Sequence, residues 1–111
     1  MLYKIITALQ NTQGSNAKKA ILEANKENEL LKEYLRVTYD PRINFYIKQL
    51  PMPVVNKEDN LDDFELHDIE LLVERIAGRQ YTGYDAKAYL RIFFSELTES
   101  GEALARYMLL K

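Results

Sequence analysis

The sequence predicts an all-α protein, folded as a single compact bundle of about six short helices. Apolar residues recur at helical spacing along nearly the whole chain, and no segment alternates apolar and polar residues with a period of two. The chain has 111 residues, of which 47% are hydrophobic, and this suffices for one core but not for a second domain.

The first half of the chain predicts three helices. The first carries the apolar stripe Leu2, Ile5, Ile6 and Leu9. Ser15 is the predicted N-cap of the second, whose core-facing side would hold Ala17, Ala20, Ile21 and Ala24. The third is predicted to start near Asn28 and to stop at Asp40-Pro41, with a core side formed by Leu30, Leu31, Tyr34, Leu35 and Thr38.

The second half begins with a short helical turn over residues 45–50, and residues 54–60 are predicted to be a surface loop. A longer helix is predicted from about Asp62 to Ala77, with Gly78 in its left-handed C-terminal position. The clearest stripe follows, formed by Ala86, Tyr89, Leu90, Phe93, Phe94 and Leu97. A last helix carries Leu104, Met108 and Leu109.

The segment from Arg79 to Ala86 is the most informative part of the chain. Thr82 stands where a helix needs an N-cap, and Asp85, three residues later, completes the pattern of a capping box. The amide groups at such a helix start carry the positive end of the helix dipole, which attracts phosphate.

The net charge of −2 is unevenly distributed. Residues 1–50 hold eight Lys and Arg against five Asp and Glu, net +3, whereas residues 51–111 hold seven against twelve, net −5. Eight carboxylates lie between Glu58 and Glu74, with no Lys or Arg among them. Because local potential steers binding, the remainder of the chain can still present a positive surface to a polyanion.

The residue inventory excludes several classes of function. Cysteine is absent and His67 is the one histidine, so there is no Cys-His or Ser-His catalytic pair, no disulfide bond and no zinc finger. Asp63 and His67 are spaced like two metal ligands, but no third ligand follows at a fitting spacing. There is no signal peptide and no run of about 18 apolar residues, so we expect a cytoplasmic protein without a membrane span.

Two groups of cations are candidate phosphate contacts. Lys18 and Lys19 lie in the first turns of the second helix, where they oppose the helix dipole, so phosphate binding and ordinary solvation are both open readings. The second group surrounds the predicted helix start at Thr82. Together the predicted DNA-binding residues are Lys18, Lys19, Arg79, Thr82, Gly83, Lys87 and Arg91.

Two blocks of the chain resemble one protein family, the ATP-dependent DNA ligases. Within residues 17–50, the segments Ala20-Ile21-Leu22-Glu23, Asn25 to Lys32, Arg36-Val37-Thr38-Tyr39 and Tyr46-Ile47-Lys48 resemble the N-terminal domain of the phage-type enzymes. Downstream, Arg79 with Thr82-Gly83 and Ala86 resembles the Arg-x-x-Thr-Gly-x-x-Ala signature of the same domain. The two blocks lie in the same order and at a fitting separation.

This resemblance implies that residues 1–111 form a DNA-binding domain, without the nucleotidyltransferase and OB-fold domains of the parent ligase. Its expected partner is nicked double-stranded DNA, bound without sequence preference so that the nick is positioned for sealing in replication, repair and recombination. No lysine begins a Lys-x-Asp-Gly adenylation motif, so this chain alone is not expected to be an enzyme. We expect a monomer without a cofactor, ATP and Mg²⁺ serving the parent ligase, in a phage-infected or bacterial cell.

Two alternatives stand beside this reading. In the first, the chain is a helical protein-interaction module whose acidic helix, from Asp62 to Glu74, docks a sliding clamp or another replication protein. The second is a helix-turn-helix regulator, but residues 80–83 offer a capped helix without a basic recognition surface.

Overall fold

The computed structural model describes residues 2–53 and 61–110. Six α-helices lie in these ranges: α1 (Leu2–Asn11), α2 (Ser15–Ala24), α3 (Glu29–Tyr39), α4 (Leu66–Leu72), α5 (Gly83–Ser95) and α6 (Glu99–Leu109). A π-helical turn, Val73–Ala77, continues α4. The described residues contain no strand, and the predicted all-α class is confirmed. None of the described helices has the length and apolar character needed to cross a membrane.

The core lies where α3 meets α4 and α6. Tyr34 of α3 is fully buried, its ring lies edge-on to Phe64 with the centroids 6.0 Å apart, and its hydroxyl donates a hydrogen bond to the carbonyl of Leu104. The stripe predicted for α5 is buried as expected, apart from a half-buried Tyr89. Burying each large side chain of this core contributes about 1.5–3 kcal/mol.

Two helix starts are capped by side chains. The side chain of Asn28 accepts a hydrogen bond of 3.0 Å from the amide of Leu31, which makes it the N-cap of α3, and this helix starts near Asn28 as predicted. Thr98 caps α6 in the same way, through the amide of Gly101. The N-cap of α2 is Gly14 and not Ser15, because the carbonyl of Gly14 accepts the first helical bond, from Lys18.

The predicted buried side of α2 is wrong. Ala17, Ala20 and Ala24 are exposed, and no residue of this helix is buried. The physical reason is the small size of alanine: a methyl group buries little apolar area, so the periodicity of three alanines does not draw the helix into the core.

Two predicted helical segments are not helical. Residues 45–50 form no helix, because the side chain of Asn44 accepts a hydrogen bond of 2.7 Å from the amide of Tyr46 and competes with helical bonding. The predicted helix from Asp62 begins only at Leu66. The amide and carbonyl of Asp62 bond to the carbonyl of Glu96 and the amide of Thr98, both at 2.9 Å. The predicted loop over residues 54–60 lies outside the described residues.

Candidate nucleic-acid interface

A cleft of about 620 Å³ opens at the N-terminus of α5, and we call it the α5 cleft. One wall is the non-helical segment 45–49 and the other is the turn that joins the π-helical segment to α5. Its lining residues are Phe45, Tyr46, Ile47, Lys48, Gln49, Ile76, Arg79, Tyr81, Thr82, Gly83, Tyr84, Ala86 and Lys87.

The turn before α5 is fixed by its own backbone. The amide of Gly78 donates a hydrogen bond of 2.8 Å to the carbonyl of Val73, five residues back, which closes the π-helical turn. Gly78 is not in the predicted left-handed conformation, since its φ is −74°. Glycine is required there because a Cβ atom would lie 2.2 Å from the carbonyl oxygen of Glu74. The left-handed residue is Arg79, with φ of 59°.

An aromatic stack supports the same turn from within the protein. The ring of Tyr81 stacks on that of Tyr89, with centroids 5.0 Å apart. The guanidinium of Arg75 lies 5.5 Å from the centre of the Tyr89 ring, and the amide of Tyr81 donates to the carbonyl of Arg75 at 3.0 Å. These contacts join the turn that carries Arg79 to α5 on one side and to the π-helical segment on the other.

Arg79 crosses to the opposite wall. Its guanidinium carbon lies 4.5 Å from the centre of the Tyr46 ring, a cation–π contact. Tyr46 is also left-handed, with φ of 57°. These two are the only non-glycine residues of positive φ in the described chain, and they contact each other.

The start of α5 differs in part from its prediction. Thr82 is the N-cap, as predicted, but its side chain makes no cap hydrogen bond, so the capping box with Asp85 is wrong. The carbonyl of Thr82 accepts the amides of Asp85 and Ala86 instead. Within the described residues the amides of Gly83 and Tyr84 have no acceptor, and these two residues line the cleft. They are open donors at a helix N-terminus.

The lining of the α5 cleft is cationic. Lys48, Arg79 and Lys87 contribute to it, and none of its described lining residues is Asp or Glu. These three residues make no ion pair with any described residue. Other cations do form ion pairs with carboxylates, namely Lys26, Lys32, Arg36, Arg42 and Arg106. As far as the described residues are concerned, the cations of the cleft are therefore unpaired and can meet an external anion.

The structure gathers four of the seven predicted DNA-binding residues in this cleft: Arg79, Thr82, Gly83 and Lys87. Arg91 is exposed one turn further along α5 and does not line it. Lys18 lines a second cleft of about 360 Å³ that shares no residue with the first, and we call it the α2 cleft. Its other lining residues are Ile6, Leu9, Gln10, Leu22, Tyr34, Leu35, Tyr39 and Tyr107. Lys19 is exposed on α2.

Two residues of the α5 cleft are missing from the sequence prediction, Lys48 and Tyr46. A signal for both existed, because they belong to the segment Tyr46-Ile47-Lys48 that resembles the ligase domain. Helical periodicity predicted a helical turn over residues 45–50, whereas an irregular, non-helical backbone brings this segment against the turn at Arg79.

Two arginines of the first half of the chain, Arg36 and Arg42, form ion pairs with carboxylates of the protein. The guanidinium of Arg36 bonds to the carboxylate of Glu33 and lowers the pKa of that group. Arg42 donates to Asp40 at 3.1 Å and, together with its own backbone amide, holds the pKa of the Asp40 carboxyl at about 2. These pairs fix the end of α3 and the start of the segment that reaches the α5 cleft.

The chain is similar to known proteins of two phages. No protein-family model matches the chain. Over 98% of its length the chain is 32% identical to the DNA ligase of Enterobacteria phage T4, and equally to the DNA ligase of Enterobacteria phage T6. The matched part is the N-terminal region of these ligases, and the chain spans 23% of their length.

Proposed function

We propose that this chain is a DNA-binding module that holds nicked duplex DNA without sequence preference, as part of the work of a DNA ligase. One observation carries the proposal. The α5 cleft joins three cations that make no ion pair with any described residue to the open amides of a helix start, with no carboxylate among its described lining residues. The similarity of the chain to the N-terminal region of phage DNA ligases supports the same role.

The chemistry of the cleft fits a sugar-phosphate backbone. Lys48, Arg79 and Lys87 supply positive charge, and the amides of Gly83 and Tyr84 supply neutral donors to phosphate oxygens. The apolar lining residue Ile47, which is only half-buried, suits contact with deoxyribose rings. Phosphate and sugar are the same at every base pair, so this kind of contact positions the protein without reading sequence.

Positioning is the contribution that such a module makes to nick sealing. A ligase must bring a 5′-phosphate and a 3′-hydroxyl into line, and holding the flanking duplex turns a random encounter into an oriented complex. This chain has no Lys-x-Asp-Gly motif, so the chemical steps, with their ATP and Mg²⁺, would belong to other domains of a ligase.

The proposal is tested by titrating a fluorescently labelled nicked duplex at several salt concentrations. We expect binding with Kd on the order of 10⁻⁴–10⁻⁶ M near physiological salt, tighter at low salt and lost at high salt. Lys87→Glu should weaken binding and flatten the slope of log K against log salt by about 1.

Lys32→Glu is the matched control, because it changes the net charge equally on α3, outside both clefts, at a lysine that pairs with Glu29. Equal loss in the two variants would show a response to net charge alone. Absence of binding at low ionic strength, or a titration that salt does not alter, would overturn the proposal.

A second candidate function is the docking of a basic protein, such as a sliding clamp. Asp62, Asp63 and Glu70 are exposed, they make no ion pair with any described residue, and they do not line the α5 cleft. Both functions can therefore occupy different parts of the surface. A nuclease-resistant pull-down of a replication protein that is abolished by Glu70→Lys with Glu74→Lys would establish this one.

A further inference from the structure

We infer that Tyr46 is a positioning residue, which holds the guanidinium of Arg79 in place for a phosphate of the DNA backbone. The inference rests on the proposed function and assigns a role to a residue that carries no charge. Its basis is the contact of 4.5 Å between the Arg79 guanidinium and the Tyr46 ring, across the two walls of the α5 cleft.

The backbone at Arg79 indicates that the arginine side chain itself is needed there. A left-handed residue after a helix is most often glycine, because a side chain is strained in that conformation. This chain does hold a glycine at the adjacent position, Gly78, but close packing against Glu74 demands it there. Arg79 is the residue that adopts the left-handed conformation, with φ of 59°. Such strain persists where the surrounding structure holds it and where the side chain has a use.

The partner of Arg79 is strained in the same way. Tyr46 has φ of 57°, and its amide donates a hydrogen bond to the side chain of Asn44. The residue is 60% exposed, so burial in the core does not account for this conformation. What the conformation achieves is the contact with Arg79.

The choice of an aromatic partner has a functional consequence. A carboxylate beside Arg79 would orient the guanidinium but would also neutralise it and repel phosphate. The face of an aromatic ring orients the cation and leaves its charge, and the N–H donors at its edge, available to a ligand. Among the described residues Arg79 has no carboxylate partner. Held in this way, it loses less freedom when it binds.

The experiment compares Tyr46→Phe, Tyr46→Leu, Arg79→Ala and the double variant Tyr46→Leu/Arg79→Ala in the salt titration of a labelled nicked duplex. Tyr46→Phe keeps the ring face and should bind as the unmodified chain does. Tyr46→Leu should weaken binding about two- to fivefold and flatten the salt slope toward that of Arg79→Ala. In the Arg79→Ala background, loss of the ring should have no further effect. Tyr3→Leu removes an exposed tyrosine from α1, outside both clefts, and is the control.

The salt slope separates positioning from direct contact, because Tyr46 is uncharged and its own contact with DNA would leave the slope unchanged. Additive losses in the double variant, or an unchanged slope in Tyr46→Leu, would overturn the inference while the proposed function stands. If the unmodified chain binds no DNA, the proposed function fails instead. In that case, NMR of the DNA-free protein tests whether Tyr46 orders the side chain of Arg79. The Arg79 Nε–H group should be ordered with Tyr or Phe at position 46 and mobile with Leu. Equal mobility in all three would refute positioning.

Discussion

The hydroxyl of Tyr34 donates a hydrogen bond of 2.7 Å to the backbone carbonyl of Leu104 and so joins α3 to α6 inside the core. Burial raises the pKa of this hydroxyl far above its usual value, so it remains a neutral donor. We predict that Tyr34→Phe lowers the free energy of unfolding by about 1 kcal/mol, because one buried hydrogen bond is lost. Urea denaturation measures this loss. The exposed Tyr3→Phe should leave the midpoint unchanged, and an equal shift in both variants would contradict the prediction.

Gly78 should be the glycine least tolerant of a side chain at the turn before α5. Gly78→Ala places a Cβ atom 2.2 Å from the Glu74 carbonyl oxygen, and the π-helical turn must shift to admit it, at about 1–3 kcal/mol. At Gly83 a Cβ atom meets nothing within 4 Å, so Gly83→Ala should cost only its left-handed strain, about 1 kcal/mol. Thermal unfolding of both variants tests this order, and a larger loss at Gly83 would contradict it.

Arg79→Gly should separate binding from stability. The variant loses a cation–π contact of about 0.5–1 kcal/mol but relieves left-handed strain of similar size, so the free energy of unfolding should change by less than about 1 kcal/mol. Binding of nicked duplex should nevertheless weaken, with a salt slope lower by about 1. Calorimetry and a salt titration of the same sample measure the two quantities. Retained affinity would remove Arg79 from the interface.

The structure places Lys18 and Lys87 in different clefts, which allows their contributions to be separated. We expect Lys18→Glu to weaken DNA binding less than Lys87→Glu, because Lys18 is the one cation among the described residues that line the α2 cleft. The two losses should add in the double variant, since the clefts share no lining residue. Fluorescence anisotropy at one salt concentration suffices. No loss with Lys18→Glu would confine the interface to the α5 cleft.

Asp40 should make the protein sensitive to acid. Its folded pKa is about 2, below the ordinary value of 3.8, because Arg42 bonds to the ionised carboxylate. A lowered pKa stabilises the fold above pH of about 4, and this stabilisation is lost as the pH falls toward about 2. The urea midpoint of the unmodified chain should therefore fall over this range more steeply than that of Asp40→Asn. If the two curves of urea midpoint against pH run parallel, the Asp40–Arg42 pair contributes nothing to stability.

Sequence reasoning succeeded where large apolar residues recur at helical spacing. The stripe of α5 was predicted because large side chains at this spacing favour one buried face. The start of α3 near Asn28 was also predicted, and the Asx cap found there fits it. The alanine stripe of α2 failed because periodicity of small residues says little about burial. Four of the seven candidate phosphate contacts gather in one cleft because they lie within nine residues of each other along the chain.

What sequence reasoning missed depends on contacts between distant segments. The extended run before α4 is fixed by hydrogen bonds between Asp62 and the chain around Leu97, more than thirty residues away. The pairing of Tyr46 with Arg79 likewise joins two loops. The backbone conformation of Gly78 was predicted wrongly for a related reason. Glycine serves both left-handed turns and close approaches, and only the three-dimensional packing shows which one applies.

Since α2 has no buried residue, the opening of this helix exposes less new apolar surface than the opening of α3 or α6 would. Its free energy of local opening should therefore be far below that of the whole protein, and its amide protons should exchange with deuterated solvent before those of α3 or α6. If Lys18 and Lys19 hold a polyanion, the polyanion would slow this exchange. The exchange rates of the α2 amides would then report whether a polyanion is bound, even where binding changes no contact in the core.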